Sequence, residues 1–176
     1  MEIYFLRHAN AGEPKLNPAK DEKRPLDELG IEQSHVVGRG LAAIKFEVDE
    51  IISSPLVRAA ETAAIVAEEI GHADKIVLDD SLRPSATYDQ FEQLLERHSG
   101  KSAILLVGHN PSMTEFVNRL VFGASVESIE LKKGTVARVD RAADKPGILK
   151  WSMPPKVMRL LQQASAKSSR PKTVSK

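Results

Sequence analysis

Two histidines and two arginines stand directly behind short apolar runs in three separate parts of the chain. Arg7 and His8 follow IYFL (residues 3–6). Arg58 lies in SSPLVRAAET, just after EIIS (50–53), and Gly108-His109-Asn110 follows AILLV (103–107). Two guanidinium forks can hold a phosphoryl group through several charge-assisted hydrogen bonds, which an ammonium does less well. A neutral imidazole in their field is a competent nucleophile toward phosphorus, and the same cations disfavour its protonated form. A second imidazole, protonated under the charge of bound phosphate, would stabilise the equatorial oxygens of the transition state. Each residue alone has a blander reading: a histidine at a strand end is commonly a structural hydrogen-bonding group, and a helical arginine is commonly solvated. Recurrence of the pattern behind three apolar runs favours the joint reading.

The elements that must position these residues are legible as alternating strands and helices. Residues 3–6, 50–53, 76–78 and 103–107 read as short buried strands. Asp27 is a plausible N-cap for a helix to about Ile44, and Pro55 fits the first turn of a helix that stops at Gly71. Further helices are expected from Tyr88 to about His98, stopped by Gly100, and over 111–121. Residues 13–24 read as a long polar loop, and loops of that length are often functional. Residues 128–153 look like two or three β segments with turns at Lys133-Gly134 and Lys145-Pro146-Gly147.

This alternation predicts an α/β three-layer sandwich: a mostly parallel central sheet with helices on both faces and the last segments as antiparallel edge strands. In such sheets the ligand crevice lies at the carboxyl ends of the strands, where the three polar clusters would converge. Helix N-termini behind Pro55 and Pro111 would add backbone donors there.

At 176 residues the chain fits one domain, expected over 1–164, followed by a flexible basic tail over 165–176. Its net charge of +1 argues against bulk attraction to nucleic acid or acidic membranes. The basic tail lacks the interleaved aromatics of a nucleic-acid arm. No cysteine is present, so disulfides, thiolate metal sites and cysteine nucleophiles are excluded. No apolar run reaches the roughly 18 residues of a membrane span, and the N-terminus lacks a signal-peptide layout. A cytoplasmic location is expected. Five histidines without i, i+4 pairing or clustered carboxylates give little reason to expect a metal, and no cofactor is expected. Trp151 is expected in core or sheet-edge packing.

The motifs Leu6-Arg7-His8-Ala9, Ser54-Pro55-Leu56-Val57-Arg58-Ala59-Ala60-Glu61-Thr62 and Val107-Gly108-His109-Asn110-Pro111 resemble those of the histidine phosphatase superfamily, with its phosphoglycerate-mutase-like fold. The resemblance covers about residues 1–155. Arg24-Pro25-Leu26, the short length and Lys150-Trp151-Ser152-Met153-Pro154 resemble the bacterial phosphohistidine phosphatases of SixA type. The resemblance implies His8 as the nucleophile that becomes phosphorylated, with Arg7, Arg58 and His109 forming the phosphate pocket and Arg24 joining them from the loop. It also implies a phosphohistidine-containing partner, such as a histidine-phosphotransfer protein.

Two departures from the family pattern matter. Ala9 replaces the usual glycine after the histidine, a small change. Pro84, in Asp80-Ser81-Leu82-Arg83-Pro84, stands where mutases and many phosphomonoesterases of that family carry a glutamate. Such an acid protonates a poor alkoxide leaving group. Its absence fits the labile P–N bond of phosphohistidine; alternatively Asp80, Asp89 or another carboxylate takes the acid role. The readings kept open are a phosphohistidine phosphatase, a phosphomonoesterase acting on small-molecule or phosphoserine-type esters, and a phosphate-binding module without turnover.

Overall fold

Among the described residues, six strands form one sheet: β1 (Glu2–Arg7), β2 (Glu50–Ser53), β3 (Val77–Leu78), β4 (Ala103–Gly108), β5 (Val136–Asp140) and β6 (Ile148–Met153). The computed structural model describes residues 1–124, 128–142 and 145–168. The sheet order is β3-β2-β4-β1-β5-β6. β3, β2, β4 and β1 run parallel, and β5 and β6 are added antiparallel at the β1 side.

Side-chain alternation along the strands divides the core into two layers. Ile3, Phe5, Ile104 and Leu106 face α4 (Tyr88–Arg97) and α5 (Ser112–Phe122), meeting Phe91, Leu94, Phe116 and Val117. Tyr4, Leu6, Leu105 and Val107 face the opposite way, onto α2 (Glu28–Ala43) and α3 (Val57–Ile70). The expected sandwich is therefore present, with the antiparallel strands at one edge. Trp151 is half-buried on β6 and packs against the Tyr4 ring at 5.9 Å.

Two short-range readings differ from what is observed. Residues 18–22 form α1 (Pro18–Glu22) inside the expected loop. Asn17 accepts from the Lys20 amide as its cap, and Pro18 opens it. A five-residue helix that buries nothing leaves no hydrophobic period to read. Pro55 lies ahead of the α3 N-cap, Leu56, rather than within the first turn.

The third difference is α6 (Pro155–Ser168). It packs on α2, with Met158 only 2 % exposed and the Gln162 amide donating to the Val36 carbonyl. Helix therefore extends through 165–168, past the point where the tail was expected to begin. Residues 169–176 lie outside the described residues. No helix among the described residues is long and apolar enough to cross a membrane.

Candidate active site

Parallel pairing of β1 with β4 sets Arg7 opposite Gly108, and the His8 amide continues the ladder by donating to the Gly108 carbonyl at 2.9 Å. The next residue on each strand is then a histidine. Their ring centroids lie 4.8 Å apart. β2 adds the third side: the Ser54 amide donates to the Val107 carbonyl, and Ser54 Oγ lies 2.9 Å from His109 Nε2. The carboxyl ends of three neighbouring parallel strands thus deliver the three motifs to one place.

Arg58 reaches the cluster from the second residue of α3 and is 4 % exposed. A cation in the first turn of a helix opposes the helix dipole, which favours an anion there. Its Nη1 donates to the Asp21 carbonyl at 2.8 Å and lies 3.4 Å from Asp21 Oδ2. One turn on, Thr62 Oγ1 donates to the Arg58 carbonyl and accepts from the Ala9 amide. The two motifs are therefore tied by backbone as well as by the site.

Of the residues singled out in the sequence, Arg7, His8, Arg58 and His109 come together. Arg7 Nη1 donates to the Leu131 carbonyl at 2.9 Å, and Asn110 Nδ2 donates to the same oxygen. Arg24 is spent differently: its Nη1 donates to the Ala11 and Gly12 carbonyls and its Nε to Asp21. It touches the cluster through Asp21, the carboxylate it shares with Arg58.

The tautomer of His8 is fixed by its partner. Nδ1 lies 2.7 Å from the Ala9 carbonyl oxygen, which only accepts, so Nδ1 carries the proton and Nε2 keeps its lone pair. Burial is the main reason that His8 titrates low, at about 3; Arg58, Arg7 and Lys133 push the same way, against the Ala9 hydrogen bond. His109 is lowered to about 2, again chiefly by burial, then by His8, Arg58, Arg7 and Arg24. The sequence pointed to the arginines as the cause; burial outweighs them.

Most of the unsatisfied polar atoms gather at this spot. The described residues contain five buried side-chain nitrogen or oxygen atoms without a hydrogen-bond partner. Four of them, Arg7 Nε, Arg58 Nε, His109 Nδ1 and Asn110 Oδ1, belong to this cluster. Such concentration is expected of a site shaped for a polar ligand rather than for packing.

The carboxylates nearby are poor proton donors. Arg24 is the main reason that Asp21 is held down at about 2. Asp80 is largely exposed and occupied by Arg83, which also pairs with Glu22. Asp89 lies further out, in a 360 Å³ cleft with Pro84, Tyr88, Pro111 and Ser112. No glutamate stands at Pro84 to protonate a leaving group.

Sequence reading missed Asp21 and Lys133. Asp21 was hidden in the apparent loop. Lys133 was visible only as part of a turn, because nothing local shows that β5 pairs with β1 and carries the turn back to His8.

Neutral burial of both rings has a consequence for stability. In the unfolded chain each histidine titrates near 6.5; in the folded protein each remains neutral far below that. The unfolded state therefore binds more protons between these limits, and stability is lost as pH falls from 7. The loss is on the order of 2 kcal/mol per ring between pH 7 and pH 5. Urea unfolding should show a clearly lower midpoint at pH 5, and a midpoint constant over that interval would contradict neutral burial.

The histidine phosphatase superfamily (branch 1) model matches residues 3–86, which carry the first two motifs. An uncharacterized protein of Picosynechococcus sp. is 30 % identical over 168 residues, covering 88 % of this chain and all of that one. The phosphohistidine phosphatase SixA of Escherichia coli is 23 % identical over 157 residues, covering 88 % of this chain and 94 % of its own. Among solved structures, the protein histidine phosphatase SixA complexed with tungstate superposes with a TM-score of 0.78 at 23 % identity, over 89 % of this chain and 98 % of that one. A phosphoserine phosphatase of Entamoeba histolytica shares the fold at 13 % identity and a TM-score of 0.65, over 86 % and 95 %. Family match, fold and the meeting of the motifs at the strand ends agree: the chain belongs to the histidine phosphatase superfamily.

Proposed function

We propose that this phosphatase hydrolyses the P–N bond of phosphohistidine on a partner protein in the cytoplasm, such as a histidine-phosphotransfer protein, through a phospho-His8 intermediate. The observation that carries the reading is the His8 ring, with its proton pinned on Nδ1 by Ala9 and its Nε2 lone pair free beside two arginines and a second histidine.

Arg7 and Arg58 hold the non-bridging oxygens, and Nε2 of His8 attacks phosphorus in line with the leaving nitrogen. The electron pair of the breaking P–N bond returns to the departing imidazole, which leaves neutral when its other nitrogen carries a proton. The phosphate's negative charge offsets the burial that keeps His109 neutral. His109 then protonates, donating from Nε2 to Ser54 and from Nδ1 to the phosphoryl group. Water attacks phospho-His8, the P–N bond to His8 breaks, and orthophosphate is released. Arg24 positions Asp21 and, through it, Arg58.

A nitrogen leaving group is supported by the state of the carboxylates. Asp21, beside Arg58, is ionised well below neutral pH, and Asp80 is committed to Arg83. An alkoxide would leave without an acid to protonate it, whereas a protonated imidazole needs none.

Turnover of a phosphohistidine protein and of phosphoimidazole should exceed that of phosphoserine and sugar phosphates by at least about 10²-fold in kcat/KM, the size of one general-acid contribution. Comparable or faster turnover of the esters would reject the P–N reading and favour a phosphomonoesterase.

The same resemblance and folding pattern support one catalytic domain that runs from β1 through the end of α6 at Ser168.

A further inference from the structure

The turn ahead of β5 is pinned to the backbone of the nucleophile. Gly134, at φ +70°, donates its amide to the carbonyls of Arg7, at 3.0 Å, and His8, at 3.3 Å. A side chain at that φ would be strained. Lys133 therefore begins beside His8. Its far end is also fixed: Nζ donates to Asn10 Oδ1 at 2.7 Å, two residues beyond His8. The aliphatic stem thus runs alongside the nucleophile, from its backbone on one side to Asn10 on the other.

Asn10 is itself held firmly. Its Nδ2 donates to Asp27 Oδ2, its amide to Gln33 Oε1, and its carbonyl accepts from the Asp27 amide. The carboxylate only accepts and the ammonium only donates, so the partners fix which amide atom faces Lys133. Asn10 is further confined by Gly30 of α2: a Cβ on Gly30 would sit 1.9 Å from the Asn10 carbonyl oxygen, so the helix can approach only as glycine.

This arrangement is unusual for a lysine. The ammonium is half-buried and rests on a neutral amide oxygen, with two further N–H groups to give. It shares its surroundings with the cations Arg7 and Arg58, both close enough to act on His8, as Lys133 does. Three like charges around one imidazole repel each other, and an anion bound among them relieves that repulsion. A strap that served packing alone would gain nothing from the charge.

Building on the phosphate pocket described above, we propose that Lys133 is a further phosphate-binding residue, whose ammonium, held alongside His8 by Asn10, donates to the phosphoryl oxygens together with Arg7 and Arg58. It carries positive charge in from the turn ahead of β5, on the far side of β1 from β4 and from β2, whose end leads to Arg58. Asn10, Asp27 and Gln33 are positioning residues that aim it.

The test uses inorganic phosphate and calorimetry on the full chain, so it needs neither turnover nor phosphohistidine. Lys133→Gln is the informative variant, because its amide can still donate to Asn10 but carries no charge. Lys133→Gln and Lys133→Met should each bind phosphate about tenfold more weakly, the size of one charge-assisted hydrogen bond. Lys133→Arg should stay within about threefold of wild type, and Lys132→Met, on the exposed neighbour, should bind as wild type. The groups facing His8 are Arg7, Arg58, Lys133 and His109. Loss of one of these cations should move the His8 imidazole resonances to titrate at higher pH in Lys133→Gln and not in Lys133→Arg. Wild-type phosphate affinity in Lys133→Gln, or an unmoved His8 titration, would overturn the proposal and leave Lys133 a structural strap. Absence of phosphate binding by the wild type would instead reject the pocket itself, and a preference for esters would reject only the P–N reading.

Discussion

Replacing His8 with alanine should abolish turnover and covalent labelling together while the chain still folds. In the proposed reaction Nε2 of His8 forms the bond to phosphorus, and no neighbour can substitute for it. His109 Nε2 is engaged with Ser54, and the ring is more deeply buried than His8. Loss of a nucleophile that acts in concert with its surroundings costs about 10⁴–10⁶ in kcat. Folding should survive because His8 holds only one side-chain hydrogen bond, to the adjacent Ala9 carbonyl, and its burial disfavours the charged ring. His8→Asn, which retains a polar side chain, provides a second variant should alanine leave too large a cavity. With a phosphorylated substrate labelled at phosphorus, the wild type quenched in alkali should retain label that acid releases, as a P–N bond requires. Both variants should show none. A folded His8→Ala protein within tenfold of wild-type kcat would remove covalent catalysis and return the site to a binding role.

The sheet was legible because its strands are short, apolar and bounded by glycine, proline or charge. Buried parallel strands have no polar face to blur the pattern, so β1, β2 and β4 stood out even at four to six residues. Arg7, His8, Arg58 and His109 were legible for the complementary reason: charged or titratable groups immediately behind such runs conflict with packing. What stayed hidden depends on contacts distant in sequence. Asp21 sits on a five-residue helix with no core face, and its link to Arg58 spans 37 residues. Lys133 reaches Asn10 across 123 residues, through the antiparallel pairing of β5 with β1. Helix α6 was not read from the sequence at all, because Met158 finds its partner in α2 rather than nearby in sequence. The low pKa of His8 was legible in direction but not in cause, since the depth of burial follows from packing three elements at one point.

Arg58→Met should separate activity from stability more sharply than any other substitution in the site. Removing a preorganised donor to developing phosphoryl charge costs about 10²–10³ in rate, and Arg58 supplies a fork that methionine lacks entirely. Arg58→Lys should recover little, because an ammonium cannot reproduce the bidentate geometry. The effect on folding should be near zero or slightly favourable. The guanidinium is buried at the N-terminal end of α3, where the dipole opposes it, and its Nε has no partner. Asp21 would not be stranded by the change, since it keeps its 2.8 Å pair with Arg24 and still accepts from the Lys15 amide. A methionine of similar length fills the space without the desolvation that the cation suffers. The expected result is a urea midpoint equal to or above that of wild type, with kcat/KM down at least a hundredfold. Phosphate should inhibit less, and the titrations of His8 and His109 should move up because both lose a neighbouring cation. If Arg58→Met instead lost several kcal/mol of stability at unchanged activity, Arg58 would be a structural anchor for α1 rather than part of the phosphate clamp. Retained stability with lost activity would identify it as a residue kept for binding an anion at a cost to the resting fold.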